Sequence, residues 1–125
     1  MNITPLLPEG TKIIQAYGDG RFRVSGNVHE GSVFVFSRHV LAWEVTRPEA
    51  VTWESFGPVI EAEEAVEILL FGSGKETYLL PKEIRARLRE HGIAVETMDT
   101  GAACRTYNVL AAEERRVAAA LIAVD

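Results

Sequence analysis

The segment FGSGKET, residues 71–77, contains the glycines, lysine and hydroxyl groups that are typical of a phosphate-binding loop. A Walker A loop requires the spacing G-x-x-x-x-G-K-[ST], in which the last hydroxyl binds magnesium. Gly74 and Lys75 match the G-K step, but Leu69 takes the place of the first glycine. Glu76 takes the place of the hydroxyl, and its carboxylate would repel a triphosphate. The segment also lacks the third glycine of a dinucleotide-binding fingerprint, since Thr77 stands at that position. The sequence therefore argues against both kinds of nucleotide site.

Gly72 and Gly74 nevertheless follow a predicted strand, and two interpretations of this turn stay open. Ligands of open α/β sheets bind at the carboxyl ends of strands, so the turn could hold a ligand or contact a partner protein. The glycines could instead serve a tight turn that lets a strand and a helix pack closely, which is the simpler interpretation.

A second segment, residues 98–108, opens a predicted helix whose first N–H groups could bind an anion. These groups lack intrahelical partners and carry partial positive charge, and the small residues 101–103 leave them sterically open. Small residues also let a helix pack closely on a sheet, so this interpretation too has a structural alternative. Asp99 or Thr100 is predicted to cap the helix.

The two segments are expected to meet if their preceding strands are parallel, because parallel strands end at the same edge of a sheet. We therefore predict one shared candidate site. Its residues are Gly72, Ser73, Gly74, Asp99, Thr100, Gly101, Ala102, Ala103, Cys104, Tyr107 and Asn108.

Support for catalysis in this site is weak. The three histidines are widely separated and no pair has metal-ligand spacing, so we predict no metal and no cofactor. Cys104 and a distant histidine could form a nucleophile–base pair, but a cysteine near a helix start is equally well a small buried apolar residue. Asp99 is more simply a helix cap than a general base. Asn108 is unusual inside a helix, where asparagine commonly satisfies a neighbouring backbone group.

The candidate residues must be positioned by the predicted secondary structure. The first part of the chain predicts strands, and the second part predicts alternating strands and helices. In the first part, apolar runs separated by turn residues predict an antiparallel meander. Its predicted strands span residues 13–17, 21–24, 31–37 and 40–45. A short helical turn is predicted after Pro48 or around residues 61–65.

The second part alternates between the two kinds of element. The predicted elements are a strand at 66–71, a helix at 81–91, a strand at 93–97, a helix from Asp99 or Thr100, and a terminal strand at 117–124. The terminal run could also continue as a helix, but its valines and isoleucine favour a strand. We therefore predict a single α/β domain over residues 1–125. It has three layers, a central mixed β-sheet, an N-terminal β-meander and two principal helices.

The composition limits the classes of function. Thirteen basic against eighteen acidic residues give a net charge of −5, which disfavours binding to the phosphate backbone of nucleic acids. Cys104 is the only cysteine, so an internal disulfide is impossible. No signal peptide and no apolar stretch of membrane-spanning length is apparent. We expect a cytoplasmic protein without a transmembrane segment, for which peripheral membrane association stays open.

An ordered set of motifs spans the chain from Ile13 to about Ala123. The motifs are Tyr17-Gly-x-Gly-x-Phe22, Gly31-Ser-Val-x-Val35, Gly72-x-Gly74, Met98-Asp-Thr-Gly-Ala-Ala-x-x-Thr-Tyr-Asn-x-Leu110 and Glu114-Arg-Arg-Val-Ala-Ala-Ala-Leu-Ile122. With them the chain resembles the Mth938-like proteins, a small family of uncharacterised domains whose mitochondrial relative is complex I assembly factor 3. Relatives commonly have Gly-Thr-Gly where this chain has Gly72-Ser73-Gly74.

The resemblance implies a three-layer fold with a central mixed sheet and a C-terminal strand, and no established enzymatic activity or cofactor. The mitochondrial relative works with other assembly proteins in building a membrane-bound respiratory complex. We therefore expect a non-catalytic protein-interaction module that aids assembly of a membrane complex, with assembly factors or subunits as partners. The expected contact surface is the edge formed by residues 72–74, residues 100–103, Tyr107 and Asn108. The alternative is a small-molecule or anion-binding protein, or an enzyme. It would use a cleft at the same shared site, with Asp99 and Cys104 as polar groups.

Overall fold

The computed structural model describes residues 10–125 of the chain. They form eight β-strands, three α-helices and two short 3-10 helices. The strands are β1 (Ile14–Gly18), β2 (Arg21–Val24), β3 (Asn27–Glu30), β4 (Val33–Val35), β5 (Val40–Ala42), β6 (Ile68–Gly72), β7 (Ala94–Met98) and β8 (Val117–Leu121). The α-helices are α1 (Gly57–Ile60), α2 (Lys82–Glu90) and α3 (Thr100–Ala112), and the 3-10 helices are Pro48–Ala50 and Trp53–Phe56.

Strands β1, β2 and β3 form a separate antiparallel sheet. Its second turn consists of Ser25 and Gly26, both with positive φ (44° and 88°), which is the conformation of a two-residue hairpin turn. A register shift between Ile14 and Ala16 marks a bulge in β1. The predicted strands at residues 13–17 and 21–24 are confirmed as β1 and β2, whereas the sequence patterns miss β3, because three of its four residues are polar. The predicted strands at 31–37 and 40–45 form β4 and β5, which pair with each other in the second sheet and do not continue the meander.

The second sheet has five strands in the order β5-β4-β8-β6-β7. Strand β6 runs parallel to β7 and β8, while β4 runs antiparallel to β5 and β8, so the sheet is mixed as predicted. The terminal run Val117–Leu121 forms the central strand, and all five of its residues are buried. Its alanines are small enough to let elements on both faces approach the sheet. The prediction of a strand rather than a helix at this end is confirmed.

Helices cover both faces of the five-stranded sheet. On one face Leu69 and Phe71 of β6 join a buried cluster with Ile84 and Leu88 of α2. On the other face Leu70 joins a cluster with residues of α3, β1 and β2. Alternate residues of β6 therefore face opposite layers, as expected for a strand covered on both sides. The predicted three-layer α/β architecture with two principal helices is confirmed.

The ends of α2 and α3 agree with the sequence signals. Pro81 immediately precedes α2, and Gly92, with a φ of 78°, follows its end. Asp99 is the N-cap of α3, and its Oδ1 accepts a hydrogen bond from the Ala102 N–H at 2.9 Å. Helix α3 has 13 residues, and no helix within residues 10–125 combines the length and the apolar character needed to cross a bilayer.

The connection between β5 and β6 differs in part from the prediction. The helical turn after Pro48 is confirmed, whereas the alternative at residues 61–65 is wrong. The sequence patterns also miss the helical segment at residues 53–60, because Gly57 and Pro58 normally interrupt helices. Proline is tolerated in the first turn of a helix, and here it lies at the start of α1.

Candidate functional site

The turn after β6 lies directly against the start of α3. The Gly74 N–H donates to Thr100 Oγ1 at 2.9 Å, and the Thr100 N–H donates to the Gly74 carbonyl at 2.8 Å. Strands β6 and β7 are parallel, which brings their carboxyl ends to the same edge of the sheet. The predicted juxtaposition of the glycine turn with the start of α3 is confirmed.

Gly72 occupies a contact that has no room for a side chain. A β-carbon at this position would lie 2.9 Å from Leu121 Cδ2, 3.0 Å from Thr100 Cα and 3.1 Å from Ala103 Cβ. The Thr100 hydroxyl extends the contact, because it donates to the Ile122 carbonyl at 2.7 Å. Strands β6 and β8 and helix α3 therefore touch at this point. This geometry favours the interpretation of Gly72 as a residue of close packing.

Ser73 fixes the shape of the loop that follows β6. Its hydroxyl donates to the Glu76 carbonyl at 2.6 Å and accepts from the Tyr78 N–H at 2.9 Å. Its backbone N–H donates to the Met98 carbonyl at 2.9 Å, which joins the loop to the end of β7. The hydroxyl of Ser73 is therefore engaged within the loop.

Most of the first N–H groups of α3 already have hydrogen-bond partners, among them the Thr100 N–H, which donates to the Gly74 carbonyl. Asp99 accepts from the Ala102 N–H through its side chain and from the Ala103 N–H through its carbonyl. The hydroxyl of Tyr17 lies against Gly101, where a β-carbon would otherwise be. Sequence reasoning does not assign Tyr17 to the site, although this residue opens the first of the family motifs. The available signal is Gly101 itself, since a glycine in a first helical turn can mark the close approach of another group.

Cys104 is buried among apolar side chains on the sheet side of α3. Burial disfavours the thiolate and raises the pKa of this thiol to about 12. Because the thiolate is the nucleophilic form of cysteine, the environment suits a small apolar core residue and opposes a nucleophile.

We expect Cys104 of the native protein to be inert toward an aromatic disulfide reagent. At pH 8 a pKa of about 12 leaves about one thiol in ten thousand ionised, and burial also blocks access. Absorbance of the released thiolate should show almost no reaction in buffer and one reactive thiol per chain in denaturant. Rapid reaction in buffer would contradict the buried position of the thiol.

Tyr107 and Asn108 fasten α3 to the N-terminal part of the chain. The buried Tyr107 hydroxyl lies 3.0 Å from the Lys12 carbonyl and 3.1 Å from the Phe36 carbonyl, to which it can donate, and burial raises the pKa of this phenol. The Asn108 side chain pairs with Ile14 of β1 in both directions. Nδ2 donates to the Ile14 carbonyl and Oδ1 accepts from its N–H, each at 2.8 Å. The expectation that Asn108 satisfies a neighbouring backbone group is confirmed.

Two open cavities lie near the candidate residues or the end of α3. One, of about 560 Å³, is lined by the loop at residues 73–78, which includes Ser73 and Gly74 of the candidate set. It contains groups of both charges, including Lys75 and Asp125, whose Nζ and Oδ2 are 3.5 Å apart. Another, of about 1060 Å³, lies between the β4–β5 turn, the segment after α1 and the end of α3. In the described part of the chain, no three His, Cys, Asp or Glu residues are grouped so that they could hold a metal ion.

Comparison with known proteins shows relatives in animals. Over 110 residues the chain is 36% identical to NADH dehydrogenase (ubiquinone) 1 alpha subcomplex assembly factor 3 of Danio rerio. The alignment covers 88% of this chain and 63% of that protein. For the protein of the same name from Rattus norvegicus, the alignment covers 59% of that protein. The chain thus spans about three fifths of the length of these relatives.

Solved bacterial structures share the fold. A crystal structure described as an outer membrane protein of Bartonella henselae is 43% identical with a TM-score of 0.85, and the match covers 93% of this chain and 98% of that chain. The solution structure of a Mth938-like domain from Bordetella pertussis is 30% identical with a TM-score of 0.82, and the match covers 98% and 92%. The family model described as "Protein of unknown function (DUF498/DUF598)" matches residues 14–122. The resemblance seen in the motifs is therefore confirmed, and the chain belongs to the DUF498/DUF598 family and has its Mth938-like fold.

Proposed function

We propose that the protein is a non-catalytic protein-interaction module that aids the assembly of a membrane complex of the respiratory chain. The observation that carries the proposal is the 36% identity, over 88% of the chain, to a protein named as an assembly factor of NADH dehydrogenase. Its partners would be subunits of such a complex or other assembly factors. It would meet them in the cytoplasm or at the membrane surface.

The chemistry of the candidate site supports an interaction role over a catalytic one. Within residues 10–125, every buried side-chain nitrogen or oxygen has a hydrogen-bond partner. The polar side-chain atoms of Thr100 and Asn108 bond to backbone groups of neighbouring elements, and the Ser73 hydroxyl bonds within its own loop. A catalytic site requires polar groups that can meet a substrate, and here those groups hold elements of the fold together.

The alternative, an anion-binding protein or an enzyme at the start of α3, has less support. The Asp99 carboxylate already lies at the first N–H groups and opposes the positive end of the helix dipole. The Tyr17 hydroxyl covers Gly101, which is the residue expected to leave the helix start open. An anion that bound the Ala102 N–H would have to displace the Asp99 carboxylate.

The proposed contact surface consists of those candidate residues that are partly exposed. Thr100, Ala103 and Tyr107 have no exposed surface, whereas Ala102 and Asn108 are partly exposed. The buried residues would act by fixing the position of α3. The exposed side of this helix is where we expect a partner to bind.

Deletion of the coding gene in the native host tests the proposal. We expect a native gel of the membranes to show less fully assembled NADH dehydrogenase, with partly assembled subcomplexes in its place. Expression of the chain from a plasmid should restore the complete complex. Affinity purification of the tagged chain under mild conditions should recover its subunits or other assembly factors.

Two results would count against the proposal. Unchanged amounts of every respiratory complex after deletion would remove the assembly role, and recovery of no protein partner would remove the interaction role. A thermal-shift screen with anionic metabolites examines the alternative. A ligand at about 100 times its Kd adds roughly 2.7 kcal/mol of stability, so a flat screen leaves the alternative without support.

A further inference from the structure

Strand β7 is an edge strand of the five-stranded sheet, and in the described part of the chain it pairs only with β6. The Ala94 N–H donates to the Glu67 carbonyl and the Met98 carbonyl accepts from the Ser73 N–H, each at 2.9 Å, so these two residues direct their backbone groups toward β6. Successive residues of a strand direct these groups to opposite sides. Val95 and Thr97 therefore direct theirs outward, where an added strand could bond to them.

Strand β7 is also the longest regular edge that the described sheets offer. It has five residues without proline or a register shift, two features that natural edges use to prevent pairing. Strand β5 has three residues and β3 has four. Strand β1 carries a bulge, and the Asn108 side chain already bonds to the backbone of Ile14 there.

A partly exposed side of α3 lies on the same face of the sheet as Met98 of β7. Ala102, Thr106 and Leu110 follow each other at intervals of four residues, are half-exposed, and are here called the α3 ledge. Leu110 and Met98 of β7 both pack at the margin of the same core cluster, so the ledge lies in the layer that covers this face of β7. Alternate side chains of a strand added to β7 would point into the same layer as this ledge, which consists of apolar and small residues.

The charge at the edge indicates the chemistry of the added strand. Glu96 is exposed, lies at the centre of β7, and has no ion-pair partner within residues 10–125. A second copy of this chain that paired antiparallel over the full length of β7 would place two Glu96 carboxylates opposite each other, which is unfavourable. A basic side chain opposite Glu96 would be favourable.

We infer that β7 receives an extended segment of a partner protein as an additional parallel or antiparallel strand. That segment has a basic residue opposite Glu96 and apolar residues over the α3 ledge. The mode is strand addition, in which backbone hydrogen bonds supply affinity and alternate side chains supply specificity. The inference rests on the proposed function and names the surface that performs it.

A peptide selection against the intact chain tests the inference. A displayed library of random linear peptides is selected on the immobilised protein, and Kd values of the synthetic selected peptides are measured by fluorescence anisotropy. We expect the peptides to contain Lys or Arg among alternating apolar residues. Thr97→Pro removes an N–H that points away from β6 and leaves every hydrogen bond to β6 in place. It should therefore raise the Kd of the peptides by about tenfold or more. The matched control Thr97→Ala keeps the N–H and should change Kd by less than about twofold.

Charge substitution at Glu96 supplies a second measurement that leaves the backbone unchanged. Glu96→Lys should raise the Kd of the basic peptides more than Glu96→Gln does. Unfolding curves check that every variant is folded. A selection without binders, or peptides whose Kd values neither Thr97→Pro nor Glu96→Lys changes, would overturn the inference. So would a dimer in sedimentation experiments that Thr97→Pro dissociates, because a second copy would then occupy β7. None of these outcomes alters the gene-deletion result, which tests the proposed function separately.

Discussion

Replacement of Gly72 by alanine is expected to lower the free energy of unfolding by about 1 to 3 kcal/mol, because it overpacks a tight contact. The new β-carbon would lie 2.9 Å from Leu121 Cδ2 and 3.0 Å from Thr100 Cα. A leucine methyl group can move aside, but Thr100 Cα belongs to the backbone of α3. That backbone cannot shift without disturbing the two hydrogen bonds between Gly74 and Thr100. Urea unfolding followed by circular dichroism measures the change.

Gly57→Ala is the matched control for this substitution. Gly57 has helical dihedral angles, with a φ of −46°, and a β-carbon there would meet no atom within 4 Å. Alanine restricts the unfolded chain, but Pro58 follows and disfavours helical dihedral angles for a preceding residue with a β-carbon, so we expect Gly57→Ala to change the free energy of unfolding by less than about 1 kcal/mol. Equal stabilities of the two variants would show that the contact between β6 and α3 can relax to admit a methyl group.

The meeting of the glycine turn and the start of α3 follows from signals that are local in the sequence. The apolar runs before Gly72 and before Asp99 predict strands, and their parallel arrangement brings both ends to one edge. Gly92 and Asp99 mark the helix ends because capping depends on residues within a single turn. Such signals can be identified without knowledge of distant contacts, and the structure agrees with each of them.

Whether that shared edge is open or filled depends on residues from distant parts of the chain. The Tyr17 hydroxyl covers Gly101 from the N-terminal sheet, and Leu121 of β8 lies over Gly72. Neither segment contains a pattern that identifies these neighbours. Asn108 is an intermediate case, because its residue type predicts a backbone partner but not that the partner is Ile14, 94 positions away. Side-chain contacts of this kind are set by the tertiary fold.

The same contacts give α3 a fixed position between the two sheets. Thr100 joins its start to the loop after β6 and to the residue after β8, and Asn108 joins its middle to β1. A surface that is rigid before binding loses less conformational entropy when a partner arrives. Under the proposed function, the buried members of the candidate set would contribute to binding without touching the partner, because they hold α3 and its ledge in place.

Replacement of Thr100 by valine is expected to lower the free energy of unfolding by about 2 to 4 kcal/mol, because two buried backbone groups lose their partner. The hydroxyl accepts from the Gly74 N–H and donates to the Ile122 carbonyl, and the residue has no exposed surface. Valine has nearly the same shape as threonine, so the substitution removes the hydrogen bonds and preserves most of the packing. Urea unfolding of the variant and the wild-type protein measures the difference.

Thr106→Val makes the same change in the same helix at a half-exposed position, and we expect it to alter stability by less than about 0.5 kcal/mol. A second comparison uses the Gly72→Ala/Thr100→Val double variant. Gly72 and Thr100 share one contact, so the double variant should lose an amount of stability that differs from the sum of the single losses. If Thr100→Val were as stable as the wild type, the hydroxyl would not be what holds β6, β8 and α3 together. Packing around Gly72 alone would then have to account for the position of α3.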